Sequence, residues 1–257
     1  MGYILMLLFA VIDKEKKGST NYIIAHYILN HLGSRENFSV TSIAKACNVS
    51  KASVSRFCRC IGLQDFLDLQ ILIKSYVSLT EHKFHYQHQN SHDLRDYVKS
   101  VTDKINQFNQ NIDIKIILEL VHDIHRYEKV SFLGMMQSGH ILMNLQDDLA
   151  SLRKFVYCTT DAVQIKDTIV NANENDLIII FSARGYFFDI ILPRIRILDK
   201  NHYPKIYFVT TNQLKKSKFV YKNIILDTNY NYSSSTILFQ LLSNMIALEY
   251  YNRYEIE

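Results

Sequence analysis

The chain has 257 residues, a mass of 30.1 kDa, 48% hydrophobic and 21% charged residues, 7 Gly and 2 Pro. That balance excludes a disordered, collagen-like or low-complexity scaffold, and the length fits one large domain or two modest ones. The net charge of +4 sits in the first part: residues 1–76 hold nine basic and five acidic side chains, and the rest is neutral.

The apolar run Tyr3–Ile12 is half the roughly 20 residues a spanning helix needs. It lacks a basic leader and a small-residue cleavage site, so it is expected to be a buried or dimer-contact helix, with no membrane insertion and a cytoplasmic location. Cys47, Cys58, Cys60 and Cys158 form no CxxC pair, which fits a reducing compartment. Asn21–Leu32 shows helical spacing of Ile23, Ile24, Tyr27, Ile28 and Leu32.

After the break at Gly33-Ser34, a short helix is predicted over Thr41–Cys47 and a tight turn at Asn48-Val49. A third helix is predicted from the N-cap Ser50 to Cys60, stopped by Gly62. Residues 63–79 are expected to be helical as well. Two short helices joined by a tight turn, the second opening on small polar and basic residues, describe a helix-turn-helix. Val49, Val54 and Phe57 are expected to pin the second helix. Lys51, Ser53, Ser55, Arg56 and Arg59 would be left for DNA, with Thr41 and Ser42 opening the preceding helix toward a backbone phosphate. Between Val40 and Cys60 there are four basic residues and no acid.

The stretch 78–92 is polar and rich in His and Gln and reads as a linker. His82, His85, His88 and His92 have the spacing of a helix face, but nothing completes a metal site, and a solvated linker is expected. The chain thus divides into a head at 1–77, a linker at 78–92 and a second domain at 93–257. Two helical segments reach Arg126. Then strands alternate with helices. Strands are predicted at Lys129–Gly134, Lys154–Tyr157, Asp176–Phe181, Lys205–Thr210 and Asn223–Leu226, with helices at 138–152, 161–173, 187–200 and 234–252. Such alternation means a parallel sheet in βαβ units.

The string V-T-S-I-A-K-A-C-N-V-S-K-A-S-V-S-R-F-C-R-C-I-G-L resembles the helix-turn-helix of the RpiR/MurR-type bacterial transcription regulators. The layout resembles them too: a helical head, a linker and a sugar-isomerase-type (SIS) domain. The resemblance implies an all-α head and a C-terminal α/β/α three-layer sandwich with a parallel sheet. It implies a double-stranded DNA operator, a phosphorylated sugar effector and a homodimer or tetramer, with no cofactor or metal.

In SIS domains the first loop reads G-x-G-x-S. Here Gly134 and Ser138 match, and Met136 stands in place of the second Gly. The second loop reads S-x-S-G-x-T. Ser182 and Gly185 match, while Arg184 and Phe187 replace the second Ser and the Thr. Arg184 could supply charge to a phosphate, or Phe187 could fill the pocket and leave a domain that only dimerises. Ser233, before the last helix, would lie near the ligand by the same resemblance, or simply cap that helix. His140, Asp148 and Glu249 form no catalytic constellation, so an isomerase is the least favoured of the three readings and no enzyme is expected.

Overall fold

In the computed structural model the described residues are 3–33, 38–74, 76, 94–183, 185, 187, 203–211, 219–227 and 232–254. The chain separates into two compact units, Met1–His92 and Asp93–Glu257.

The first unit is helical throughout its described part. Helix α1 (Tyr3–Lys14) buries Ile4, Leu5, Leu7, Leu8 and Val11, so the apolar run is core. Ser19 caps α2 (Thr20–His31) by accepting from the Tyr22 amide. Helix α3 (Val40–Ala46) and helix α4 (Lys51–Cys60) follow, and residues 66–74 are again helical. Asn48, between α3 and α4, holds φ +52, a left-handed conformation that Asn tolerates better than most residues. Gly62, at φ +80, ends α4 as the sequence predicts. Residues 77–79 of the expected fourth helical stretch, the predicted linker and its histidines lie outside the described residues.

The second unit opens with α5 (Leu94–Asn111) and α6 (Ile114–Arg126). Then come β1 (Lys129–Gly134), α7 (Gln137–Ser151), β2 (Tyr157–Thr159), α8 (Ala162–Asn171) and β3 (Asp176–Phe181). After the predicted helix 187–200, described only at Phe187, the chain forms β4 (Lys205–Thr210), β5 (Lys222–Ile225) and α9 (Tyr232–Tyr254). The five strands run parallel in the order β2-β1-β3-β4-β5.

The apolar run of β3 divides between two cores because successive side chains point to opposite faces. Leu177, Ile179 and Phe181 join Phe132, Tyr207 and Val209 against α6, α7 and α9. Ile178 and Ile180 join Leu133, Ile206 and Phe208 against Ile165 of α8. A sheet covered on both faces is the three-layer sandwich expected from the sequence.

One strand is displaced from its predicted place. Strand β2 occupies Tyr157–Thr159 rather than Lys154–Tyr157. The end of α7 uses the earlier residues: Arg153 turns left-handed at φ +58, and the Lys154 amide donates back to the Leu149 carbonyl at 2.9 Å. The Lys154 ammonium also donates to the Tyr127 carbonyl at 2.6 Å. Pairing therefore starts at Tyr157, opposite Ser131.

A buried polar network lies at the amino end of β4. Asp123 is buried, accepts the Tyr207 hydroxyl at 2.6 Å and pairs with the Lys205 ammonium at 2.6 Å. Glu119 accepts from Lys222 and, at 2.7 Å, from the Tyr221 hydroxyl. Those two donors hold the Glu119 carboxyl below the usual carboxylate range. Burial, reinforced by the bond to Asp123, pushes the Tyr207 phenol well above its ordinary value, so it stays a donor.

Candidate nucleic-acid interface and ligand loops

The helical unit presents α4 by one face and fastens it by the other. Val54, Phe57 and Cys58 are buried, while Lys51, Ala52, Ser55, Arg56 and Arg59 are exposed and Ser53 is half-buried. Val49 is half-buried at the turn, as befits its predicted role. Burial pushes the Cys58 thiol up to about 11, so it remains protonated and serves as packing.

Three of the singled-out hydroxyls are engaged within the helices. Ser50 caps α4, accepting from the Ser53 amide at 3.0 Å. The Ser53 hydroxyl lies 2.9 Å from that of Ser50 and accepts from Arg56 Nη2 at 3.2 Å. Ser55 donates back to the Lys51 carbonyl at 3.3 Å. In α3 the N-cap is Ser39, two residues before Thr41. Its side chain accepts from the Ser42 amide at 3.0 Å, and Ser42 accepts from the Ser39 amide at 2.9 Å. This reciprocal capping box occupies Ser42, leaving Thr41 exposed beside the first-turn amides. Ser39 was legible as a capping residue, since it stands three before a second Ser.

In the second unit the strand order reverses between β1 and β3, and such a switch point opens a crevice beyond the carboxyl ends of the strands. Gly134 pairs with Phe181, so the loops after β1 and β3 lie side by side there. Gly134 and Gly139 are packed with no room for a side chain. A Cβ on Gly139 would lie 2.4 Å from Thr160 Cγ2 and 2.5 Å from the Gly134 carbonyl oxygen. Met136 adopts φ +56, ψ −131, a conformation glycine takes freely and other residues only under strain. The substitution at the second glycine position therefore leaves a glycine-type backbone in place. Ser138 is buried in the first turn of α7.

The second loop is pinned from β4. The Thr211 hydroxyl donates to the Ala183 carbonyl at 2.9 Å, and the Ser182 amide donates to the Val209 carbonyl at 2.9 Å. Ser182 is half-buried, and Gly185 is buried at φ +74, where a residue other than glycine would be strained. Phe187 is 1% exposed and packs with Leu133, Ile178 and Phe208 in the core beneath the sheet. Its ring is thus part of that core. Arg184 lies outside the described residues. Ser233 falls in the first turn of α9, with its side chain outside the described set. Its neighbours Ser234 and Ser235 are buried, and Thr236 donates to Gln137 Oε1 at 3.3 Å, tying the starts of α9 and α7 together.

Sequence reasoning passed over Thr160, Thr211, Gln137 and Thr236. For Thr160 and Thr211 the available signal was a polar residue directly after a strand; Gln137 and Thr236, at helix starts, carried none. His140 and Asp148 are exposed, and Glu249 pairs with Arg253 one turn along α9. Among the described residues no group of three or more His, Cys, Asp or Glu could hold a metal, and no helix is long and apolar enough to cross a membrane.

Residues 7–80 match the helix-turn-helix domain of the rpiR family. An uncharacterized HTH-type transcriptional regulator of Caldanaerobacter subterraneus subsp. tengcongensis is 33% identical over 124 residues, covering 45% of this chain and 43% of the relative. Another of Bacillus subtilis, YbbH, is 25% identical over 182 residues, covering 67% and 62%. The chain therefore spans less than two thirds of either relative.

The fold matches the Vibrio vulnificus NanR protein, solved in complex with ManNAc-6P, with a TM-score of 0.53 at 17% identity over 98% of this chain and 92% of that one. It also matches the sugar isomerase domain of an RpiR transcription factor from Sphaerobacter thermophilus, with a TM-score of 0.51 at 19% identity over 62% and 89%. Residues 7–80 thus carry a helix-turn-helix domain similar to that of the rpiR family, and the parallel α/β domain that follows shares the fold of these solved structures.

Proposed function

We propose that the protein is a sequence-specific transcriptional regulator and not an enzyme, with a head at 1–77, a linker at 78–92 and a ligand-responsive dimerising domain at 93–257. The carrying observation is α4, whose exposed face bears Lys51, Arg56 and Arg59 with no acid while Val54 and Phe57 fix its other face. Such a helix suits the major groove, with arginine reading base edges and lysine meeting phosphates. Thr41, at the start of α3, is placed for a backbone phosphate. A homodimer would present two heads to a two-fold-related operator.

The effector is a phosphorylated sugar or amino sugar held at the carboxyl ends of β1 and β3. Gly134, Ser138, Ser182, Arg184, Gly185 and Ser233 are the residues assigned to it. The glycine-type turn at Met136 supports this reading, because it starts α7 directly after β1, and the start of a helix suits an anion. The core position of Phe187 favours a ligand-binding domain over a ligand-blind dimer module. The effector would act by binding one spacing of the heads more tightly than another.

Arg56→Ala tests the interface. Affinity for duplex operator DNA, measured by fluorescence anisotropy, is expected to fall about tenfold to a hundredfold, the worth of one bidentate base contact. The melting temperature should stay within a degree or two, because Arg56 is exposed. Unchanged affinity would remove α4 from the interface.

A further inference from the structure

The exposed side of α4 carries a short hydrogen-bonded chain. Arg56 Nη2 donates to the Ser53 hydroxyl at 3.2 Å. Ser53 has then given up a lone pair and can donate its own proton to Ser50 Oγ, 2.9 Å away. Ser50 Oγ also accepts from the Ser53 amide at 3.0 Å, the bond that caps the helix. Each link polarises the next, and the chain ends on backbone, which does not move. A guanidinium has five N–H donors, arranged so that Nη2 shares one two-donor fork with Nη1 and another with Nε. Whichever Nη2 hydrogen Ser53 takes, one complete fork remains.

We propose that Ser53 is a positioning residue for base reading: it holds Arg56 with its free fork turned outward, toward the O6 and N7 acceptors of a guanine. The inference rests on the DNA-binding reading of α4 and adds a division of labour within it. Arg56 reads, Ser53 aims, and Lys51 and Arg59, for which no such chain is seen, contribute charge to phosphates. Ser55 takes no part, because its hydroxyl is turned back to the Lys51 carbonyl. An unaimed arginine would spread over many rotamers and lose discrimination before it lost affinity.

The test is selection of duplexes from a randomised library by the full chain, with wild type, Ser53→Ala, Ser53→Thr, Arg56→Ala and Lys51→Ala compared at several salt concentrations. Ser53→Ala keeps the backbone amide that Ser50 caps, so the fold is retained, and a melting curve verifies this. Ser53→Ala is expected to lower the preference for guanine about five- to tenfold at one position, the one at which Arg56→Ala loses it. The dependence of affinity on salt should be unchanged by Ser53→Ala and made shallower by Lys51→Ala. Ser53→Thr, which keeps a hydroxyl, should restore the preference. An unaltered motif with Ser53→Ala, or loss at a position different from that of Arg56→Ala, would overturn the assignment. Absence of any selected motif with wild type would instead overturn the DNA-binding reading beneath it.

Discussion

Gly139→Ala is expected to destabilise the α/β unit by about 3 kcal/mol, toward the upper end of what overpacking usually costs. Alanine favours a helix interior over glycine by only about 1 kcal/mol, so propensity cannot rescue the change. The added methyl would stand 2.5 Å from the Gly134 carbonyl oxygen, which belongs to a strand paired with β3 and cannot retreat. Thr160 could rotate its methyl away, but the carbonyl would still force the first turn of α7 off the end of β1. The same shift would disturb the loop at which the effector is proposed to bind. Chemical denaturation, read together with ligand response, checks both effects. The neighbouring change Met136→Gly should go the other way, gaining about 1 kcal/mol as the strain at φ +56 is relieved. A Gly139→Ala protein as stable as wild type would contradict the close approach of α7 to β1.

Asp123→Ala is expected to cost about 3 to 5 kcal/mol, the usual result of removing one partner from a buried charge pair. Its loss strands the Lys205 ammonium and the Tyr207 hydroxyl, both of which it now satisfies at 2.6 Å. Glu119 stands 3.9 Å from Lys205 and 3.3 Å from the Tyr207 hydroxyl, so it recovers part of the interaction. Asp123→Asn should therefore fall between wild type and Asp123→Ala, because an amide oxygen still accepts from Tyr207. Urea denaturation of the three proteins gives the order directly. Equal stability of wild type and Asp123→Ala would mean that the network is replaceable by water.

The layered architecture was readable because its signals are local. The run DLIIIF is apolar without alternation, which only a strand covered on both faces requires, and β3 occupies those residues. Ser50, Val54, Phe57 and Gly62 announce the cap, the buried face and the stop of α4 within thirteen positions, and the structure uses each that way. Strand β2 was misplaced because Lys154–Tyr157 has strand composition, while the preceding helix closes through a left-handed Arg153 that no propensity announces. The Asp123–Lys205–Tyr207 network was invisible because Asp123 is more than 80 residues from both of its partners in sequence. At the candidate ligand loops the motif letters alone did not show backbone shape or side-chain direction. Met136 keeps a glycine-type backbone, and Phe187 enters the core, because backbone shape and side-chain direction are set by the packing of α7 and the sheet.

The central claim is that a phosphorylated sugar binds at the carboxyl ends of β1 and β3. The direct measurement is the melting temperature of the full chain against a panel of sugar and amino-sugar phosphates at millimolar concentration, each matched with its unphosphorylated form. Ser182→Ala serves as the control. A ligand that binds only the folded state at a hundred times its Kd adds about 2.7 kcal/mol, a shift of several degrees. The account predicts such a rise with one phosphorylated class, none with its unphosphorylated partner, and loss of the rise in Ser182→Ala. No rise across the panel, or the same rise in Ser182→Ala, would contradict the placement of an effector in these loops.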